Sequence, residues 1–183
     1  MTTERWATAF HEAGHAVIGD ALGLVVEKVT ILPVFSSHYK RWARGMTWIK
    51  ATGDLTRDFS FAMRDRLHRE AIFSLAGPAA ERRAVGHVPL DAEDIDAQVA
   101  EWLLSRDTAA RELPRVFRRA NGIAERLVRQ RWSAIESLAA ALMRHGSLSG
   151  QQLRKSPESA VKNVGCRAVS RPEVPMRLGE PSP

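Results

Sequence analysis

Apolar residues recur at Trp6, Phe10, Ala13, Val17 and Ala21, which forms one helical stripe near the start of the chain. Thr3 can cap this helix, Glu4 suits the positive end of its dipole, and Gly23 is a plausible stop. Leu24 to Leu32 is rich in β-branched residues and predicts a strand ended by Pro33. Gly45 to Ala51 predicts a second strand, and the polar, basic segment Val34 to Arg44 predicts a loop between the two. A helix is expected from about Phe59 to Val85, which the Gly77-Pro78 pair should bend or interrupt. Asp91 should begin another helix with an apolar stripe at Ile95, Val99, Trp102 and Leu103. Helical periodicity resumes from about Pro114 to Arg144, ends near His145-Gly146, and is followed by a short helix at Gly150 to Arg154. No internal repeat is visible. The predicted fold is mainly α with a small β element, an α+β domain over residues 1–154. From Lys155 the periodicity stops, and residues 155–183 read as a basic tail without fixed structure.

Composition narrows this picture. A chain of 183 residues suits one domain with a real core, not two large ones. The single cysteine, Cys166, excludes an internal disulfide framework and any zinc site built on several thiolates. A reducing, cytoplasmic setting therefore fits best. No run approaches the roughly 18 apolar residues of a membrane helix, and the first residues lack the pattern of a secretory signal. The net charge of +6 comes largely from arginine and permits attraction to several kinds of anion. Arg111, Arg115, Arg118, Arg119, Arg126, Arg129 and Arg131 crowd one helical region with Glu112, Glu125 and Glu136 nearby. That mixture reads as a solvated helix face, so nucleic acid is not the expected partner. A basic surface can also recruit acidic substrates. His38, His68, His87 and His145 have no ligand spacing among themselves.

The candidate chemistry lies in His11-Glu12-Ala13-Gly14-His15. Histidines four apart on a helix project from one face, one turn apart, and two neutral imidazoles so placed can grip one zinc ion. From the position after the first histidine, a carboxylate can reach a water at the metal and act as its base. Short patterns of this kind also occur by chance. Here, however, Thr8, His11, His15, Ile18 and Leu22 form a second stripe beside the first, so both histidines adjoin a packed face. Polar groups in such a place need partners, and a metal supplies them.

A wider set of motifs accompanies this helix. Ala9-Phe10-His11-Glu12-Ala13-Gly14-His15-Ala16-Val17 resembles the active-site helix of the FtsH-type zinc metallopeptidases. Val26-Glu27-Lys28-Val29-Thr30-Ile31-Leu32-Pro33 is similar to the strand after it in that family, and Leu75-Ala76-Gly77-Pro78-Ala79-Ala80-Glu81 to the next helix. Glu93-Asp94-Ile95 resembles the stretch that supplies the third ligand, and Trp132 to Gly150 the closing helices. The resemblance runs in the family's order over about residues 5 to 154.

It implies one catalytic zinc ion held by His11, His15 and Asp94, with Glu12 as general base and later proton donor to the leaving amine. One coordination position would stay open for water. Asp91, Glu93 and Asp94 equally suit the first turn of a helix. Asp94 and Asp96 flank Ile95 at similar angles, so periodicity does not choose between them. The resemblance favours Asp94 over Asp96 and Glu81, and Glu81 can instead orient a ligand. Gly14 with Ala13 would let another helix approach closely, for instance the one carrying Gly77.

The implied activity is a metalloendopeptidase acting on protein or peptide substrates. Two alternatives stay open: a zinc-binding adaptor without turnover, and a regulatory protease dedicated to one partner. The family also carries an ATPase module before the peptidase part, whereas here the zinc helix begins almost at residue 1 and no Gly-x-x-x-x-Gly-Lys-Ser/Thr loop occurs. The expectation is therefore that substrates arrive already unfolded or from a separate ATP-dependent unfoldase. The membrane anchor of many family members has no counterpart in these residues, and the ring-like homo-oligomer of the family is left open.

Overall fold

The first helix, α1 (Thr3–Ala21), is largely buried and packs against helices and strands that follow it, most extensively the next helix in the chain. The computed structural model describes residues 3–36, 40–50, 61–86 and 95–155. Small residues dominate the buried surface of α1: Ala7, Ala9, Ala13, Gly14, Ala16 and Gly19. Neighbouring elements can therefore come close on several sides. The helix ends at Gly23, whose φ of +75° suits a residue without a Cβ. Leu24 N donates to Gly19 O and Gly23 N to Asp20 O, both at 2.9 Å, which closes the last turn.

Next come strand β1 (Val26–Thr30), the short ribbon of β2 (Val34–Ser36) and β3 (Arg41–Ala43), and β4 (Met46–Ile49). Helices α2 (Phe61–Val85), α3 (Ile95–Ser105), α4 (Leu113–Gln130) and α5 (Trp132–His145) come after them. The described chain closes with β5 (Ser147–Ser149) and α6 (Gly150–Lys155). Strand β1 lies in the centre of an antiparallel sheet of order β4-β1-β5, and β2 pairs only with β3. The architecture is mainly helical with a small antiparallel element, the predicted α+β class. Among the described residues no helix is long and apolar enough to cross a membrane.

Four details depart from the sequence reading. The segment expected to be a loop contains the β2–β3 ribbon, where Phe35 pairs directly with Trp42. A cross-strand aromatic pair stabilises such a ribbon despite its polar surroundings. Helix α2 continues through Pro78 and is not interrupted. Proline deprives only Ser74 O of its donor, while Leu75, Ala76, Ala79 and Ala80 on either side are buried. The helical periodicity read from about Pro114 to Arg144 belongs to two helices, parted at Arg131 (φ −109°, ψ 18°). There Trp132 stacks on Phe10 of α1 at 5.4 Å and lies under the Arg83 guanidinium, which fixes the start of α5 separately. Trp102, expected on the buried stripe of α3, is 52% exposed, because Ala100, Leu103 and Leu104 make the packed face instead. The starts expected at Phe59 and Asp91 and the tail beyond residue 155 lie outside the described residues.

The arginine-rich face is where the pattern put it. Helix α4 buries Ala120, Ala124 and Val128, and six of the seven clustered arginines are exposed, with Arg131 half-buried.

Helix α2 approaches α1 closely at Gly14. A Cβ built on Gly14 would lie 2.6 Å from Ala80 Cβ and 2.7 Å from Ala76 O. Gly14→Val should therefore lower stability by about 2–3 kcal/mol, because the backbone of α2 must give way. Gly122, exposed on α4 with nothing near its missing Cβ, should behave oppositely. Gly122→Ala is expected to raise stability by about 0.5–1 kcal/mol through helix propensity. Urea unfolding of the two variants beside the parent checks both signs.

Candidate metal centre

The one-turn spacing on α1 brings the His11 and His15 rings edge to face, with centroids 4.8 Å apart. Both rings are oriented from behind by α2. His15 Nδ1 lies 2.9 Å from Phe73 O. A carbonyl oxygen only accepts, so Nδ1–H donates and a neutral His15 presents a lone pair at Nε2. A Cβ on Gly77 would run into the His15 ring, so glycine is what lets the ring lie against α2. The Gly77-Pro78 pair, predicted to bend or interrupt the helix, thus adjoins the turn on which His15 rests.

His11 Nδ1 lies 2.8 Å from Glu81 Oε2. The His11 hydrogen bond, opposed by burial, holds the Glu81 carboxyl below the usual carboxylate range. Arg44 adds to this from 3.9 Å. Ionised Glu81 accepts, so a neutral His11 also donates through Nδ1 and presents its lone pair at Nε2. The two Nε2 atoms are 3.1 Å apart. Asp96 Oδ2 lies 2.9 Å from His11 Nε2 and 3.5 Å from His15 Nε2.

With both imidazoles neutral, three electron-pair donors converge with no N–H between them, and the arrangement calls for a cation. The ligand atoms of His11, His15 and Asp96 lie within 4.8 Å of one another, and two imidazoles with one carboxylate are the donor set of an open zinc site. The residues fit a divalent metal. A proton can also satisfy them. Burial alone would lower the His11 pKa, but hydrogen bonds with Asp96 and Glu81, and the charges of Asp96 and Glu12, raise it well above the ordinary histidine value. Burial would raise Asp96, yet the charges and hydrogen bonds of His15 and His11 outweigh it and hold the carboxyl below its usual range.

Glu12 is buried beside this cluster, facing β4. Thr47 Oγ1 lies 2.7 Å from Glu12 Oε2 and 3.2 Å from Glu12 O, so its hydroxyl can donate to the carboxylate. A Cβ on Gly45 would stand 2.8 Å from Glu12 Oε1. Burial pushes the Glu12 pKa up, against the opposing pull of His11, His15 and Thr47.

The structure thus gathers His11, Glu12 and His15 at one place. Asp94 lies outside the described residues; the carboxylate found against the histidine pair is its neighbour Asp96. Glu81 takes the orienting position that the sequence allowed it. Sequence reasoning missed Thr47, Gly45, Arg44 and the Phe73 carbonyl. The first three sit in or beside a predicted strand that carries no motif, and a main-chain carbonyl has no side-chain signature at all. A cavity of about 480 Å³ lies on the other side of α1, lined by Val17, Leu24, Leu138 and Leu153 among others, and touches none of these groups.

No protein-family model matches the chain. What the geometry defines is a two-histidine, one-carboxylate cluster with a second carboxylate beside it. The ATP-dependent zinc metalloprotease FtsH of Cupriavidus metallidurans is 38% identical to the chain over 80 residues. That match takes in 43% of this chain and 11% of that protein's length. The chain is thus similar, over part of its length, to a zinc metalloprotease.

Metal affinity should depend on residues that never touch the ion. Glu81→Gln and Gly77→Ala alter no ligating atom but disturb the His11 and His15 rings, and each should weaken zinc affinity by about 10–100-fold in competition with a chromogenic chelator. Stability should also respond to pH with opposite signs in the two forms. For metal-free protein, the raised His11 pKa contributes stability that is full below the ordinary histidine value and lost as pH rises through the folded value. Glu12, also raised, loses its contribution from the ordinary carboxylate range upward, as pH rises through its own folded value. Zinc requires unprotonated imidazoles, so its contribution grows with pH. Between pH of about 6 and about 8 the melting temperature should fall without zinc and rise with it.

Proposed function

We propose that this chain is a zinc-dependent metalloendopeptidase that hydrolyses peptide bonds in unfolded or partner-delivered proteins. The observation that carries the proposal is the convergence of the His11 and His15 Nε2 lone pairs with a carboxylate, beside the buried carboxylate of Glu12. A purely structural metal site has no use for that fourth group. The partial similarity to a zinc metalloprotease supports the same reading.

A bound zinc ion supplies a Lewis acid that acidifies water and polarises a carbonyl. The chain's own residues do the rest. Phe73 O and Glu81 fix the two imidazoles through Nδ1, so that neither ring has to reorient. Thr47 holds Glu12 Oε2 and leaves Oε1 to take the proton from water. Burial makes Glu12 more basic than an ordinary carboxylate, so it holds that proton more firmly before passing it to the departing amine nitrogen.

For the third ligand we favour Asp96, the carboxylate that the geometry brings to the histidine pair. Asp94, preferred by the family resemblance, is the alternative. Asp96→Ala should abolish stoichiometric zinc binding while Asp94→Ala retains it, read as metal content after gel filtration. The reverse pattern would transfer the role to Asp94.

Loss of an unfolded casein-type substrate tests the activity itself. Zinc-loaded parent protein should degrade it. Glu12→Gln should keep its zinc and lose activity by at least about 100-fold, since the base is removed and the ligands are not. Equal cleavage by parent and variant would remove Glu12 from the mechanism. No cleavage by either, with zinc bound, would turn the assignment to an adaptor or a protease with a single partner.

A further inference from the structure

The β2–β3 ribbon exposes two large rings to solvent. Phe35 is 52% exposed and Trp42 69%. They are direct cross-strand partners, so both side chains stand on one face of the ribbon, with ring centroids 5.6 Å apart. Neither belongs to the hydrophobic core or to the residues packed against it. Scattered exposed apolar residues need no explanation, but two rings paired on one open face form a surface whose exposure to water is unfavourable and whose burial on contact lowers the free energy.

Charge and continuity say what that contact is. Between Val34 and Arg44 the sequence holds Lys40 and Arg41 and not one acid. Lys40 is exposed at the ribbon's turn, with a φ of +50°. The ribbon then runs directly into Arg44, which reaches Glu81, and into Gly45, which lies against Glu12. The next strand, β4, pairs with β1 on one edge and has no partner strand on the other among the described residues. A pair of exposed rings with Lys40 at the ribbon's turn thus leads along the chain to the carboxylate of the candidate centre.

We propose that Phe35 and Trp42 are specificity-determining residues that hold an apolar side chain of an extended polypeptide substrate whose flanking residues are acidic. The inference names a substrate class for the peptidase reading and rests on that reading for the cleavage step. Binding itself is independent of turnover.

The test uses the full-length, zinc-loaded Glu12→Gln protein and three fluorescent peptides, monitored by anisotropy. One peptide carries leucine between glutamates, the second replaces leucine by serine, and the third replaces the glutamates by lysine. The first should bind at least about tenfold more tightly than the other two, and Trp42→Ser or Phe35→Ser should remove that preference. Added salt should weaken binding of the first peptide. Because the pair also stabilises the ribbon, Trp42→Phe, which keeps two paired rings, should retain the preference, and zinc content should be unchanged in every variant. Equal binding of all three peptides, no binding, or a preference that survives both substitutions overturns the inference. The two proposals fail separately. If the protein with intact Glu12 cleaves the first peptide and neither ribbon substitution raises KM, this inference is wrong and the peptidase reading stands. If the binding preference is present but neither the first peptide nor unfolded casein is cleaved by zinc-loaded parent protein, the binding inference stands and the general peptidase reading gives way to an adaptor or a protease with a single partner.

Discussion

The approach of α2 to α1 governs where every polar atom of the centre can lie. At Gly14 the two helices are close enough that a side chain on α1 would collide with Ala76 and Ala80. At Gly77 the missing side chain is on α2, and the His15 ring occupies its place. These two glycines and the alanines between them bring the Phe73 carbonyl to His15 and the Glu81 carboxylate to His11. A wider helix pair would leave both Nδ1 atoms without acceptors and the rings free to turn. The small-residue packing is thus a condition of the chemistry as well as of the core.

That packing has an electrostatic consequence. Once the two Nδ1 atoms are committed to acceptors, the opposite nitrogens face each other with lone pairs, and a carboxylate joins them. A partly buried cluster of acceptors without a donor is unfavourable, because the lowered local dielectric strengthens its repulsion. A proton or a metal ion relieves it. The raised His11 and lowered Asp96 pKa values express the same need for positive charge. Glu12, placed next to this charge but tied to Thr47 on the neighbouring strand, feels it without belonging to the ligand set.

Much of this was legible in the sequence, for physical reasons. Four-residue spacing fixes two side chains on one helix face wherever the helix packs, so His11, Glu12 and His15 could be read directly. Glu81 was readable as an orienting group only through the motif around it. Gly77-Pro78 reads as a bend or an interruption, because proline's local cost is visible in sequence while the compensating burial of Leu75 to Ala80 is not. Ser147-Leu148-Ser149 carried no strand signal, since three residues acquire strand geometry only from pairing with β1. The ribbon of Phe35 and Trp42 depends on cross-strand contact in the same way. Thr47 and the Phe73 carbonyl act through tertiary proximity alone, which no local pattern encodes.

The central claim is that His11 and His15 present their Nε2 atoms together to one metal ion. X-ray absorption at the zinc edge of protein loaded with one equivalent tests it most directly. The account predicts nitrogen and oxygen scatterers at about 2.0–2.1 Å with the outer-shell signature of two imidazoles, falling to one imidazole in His15→Ala. A spectrum without imidazole scattering, or one unchanged by that substitution, would contradict it.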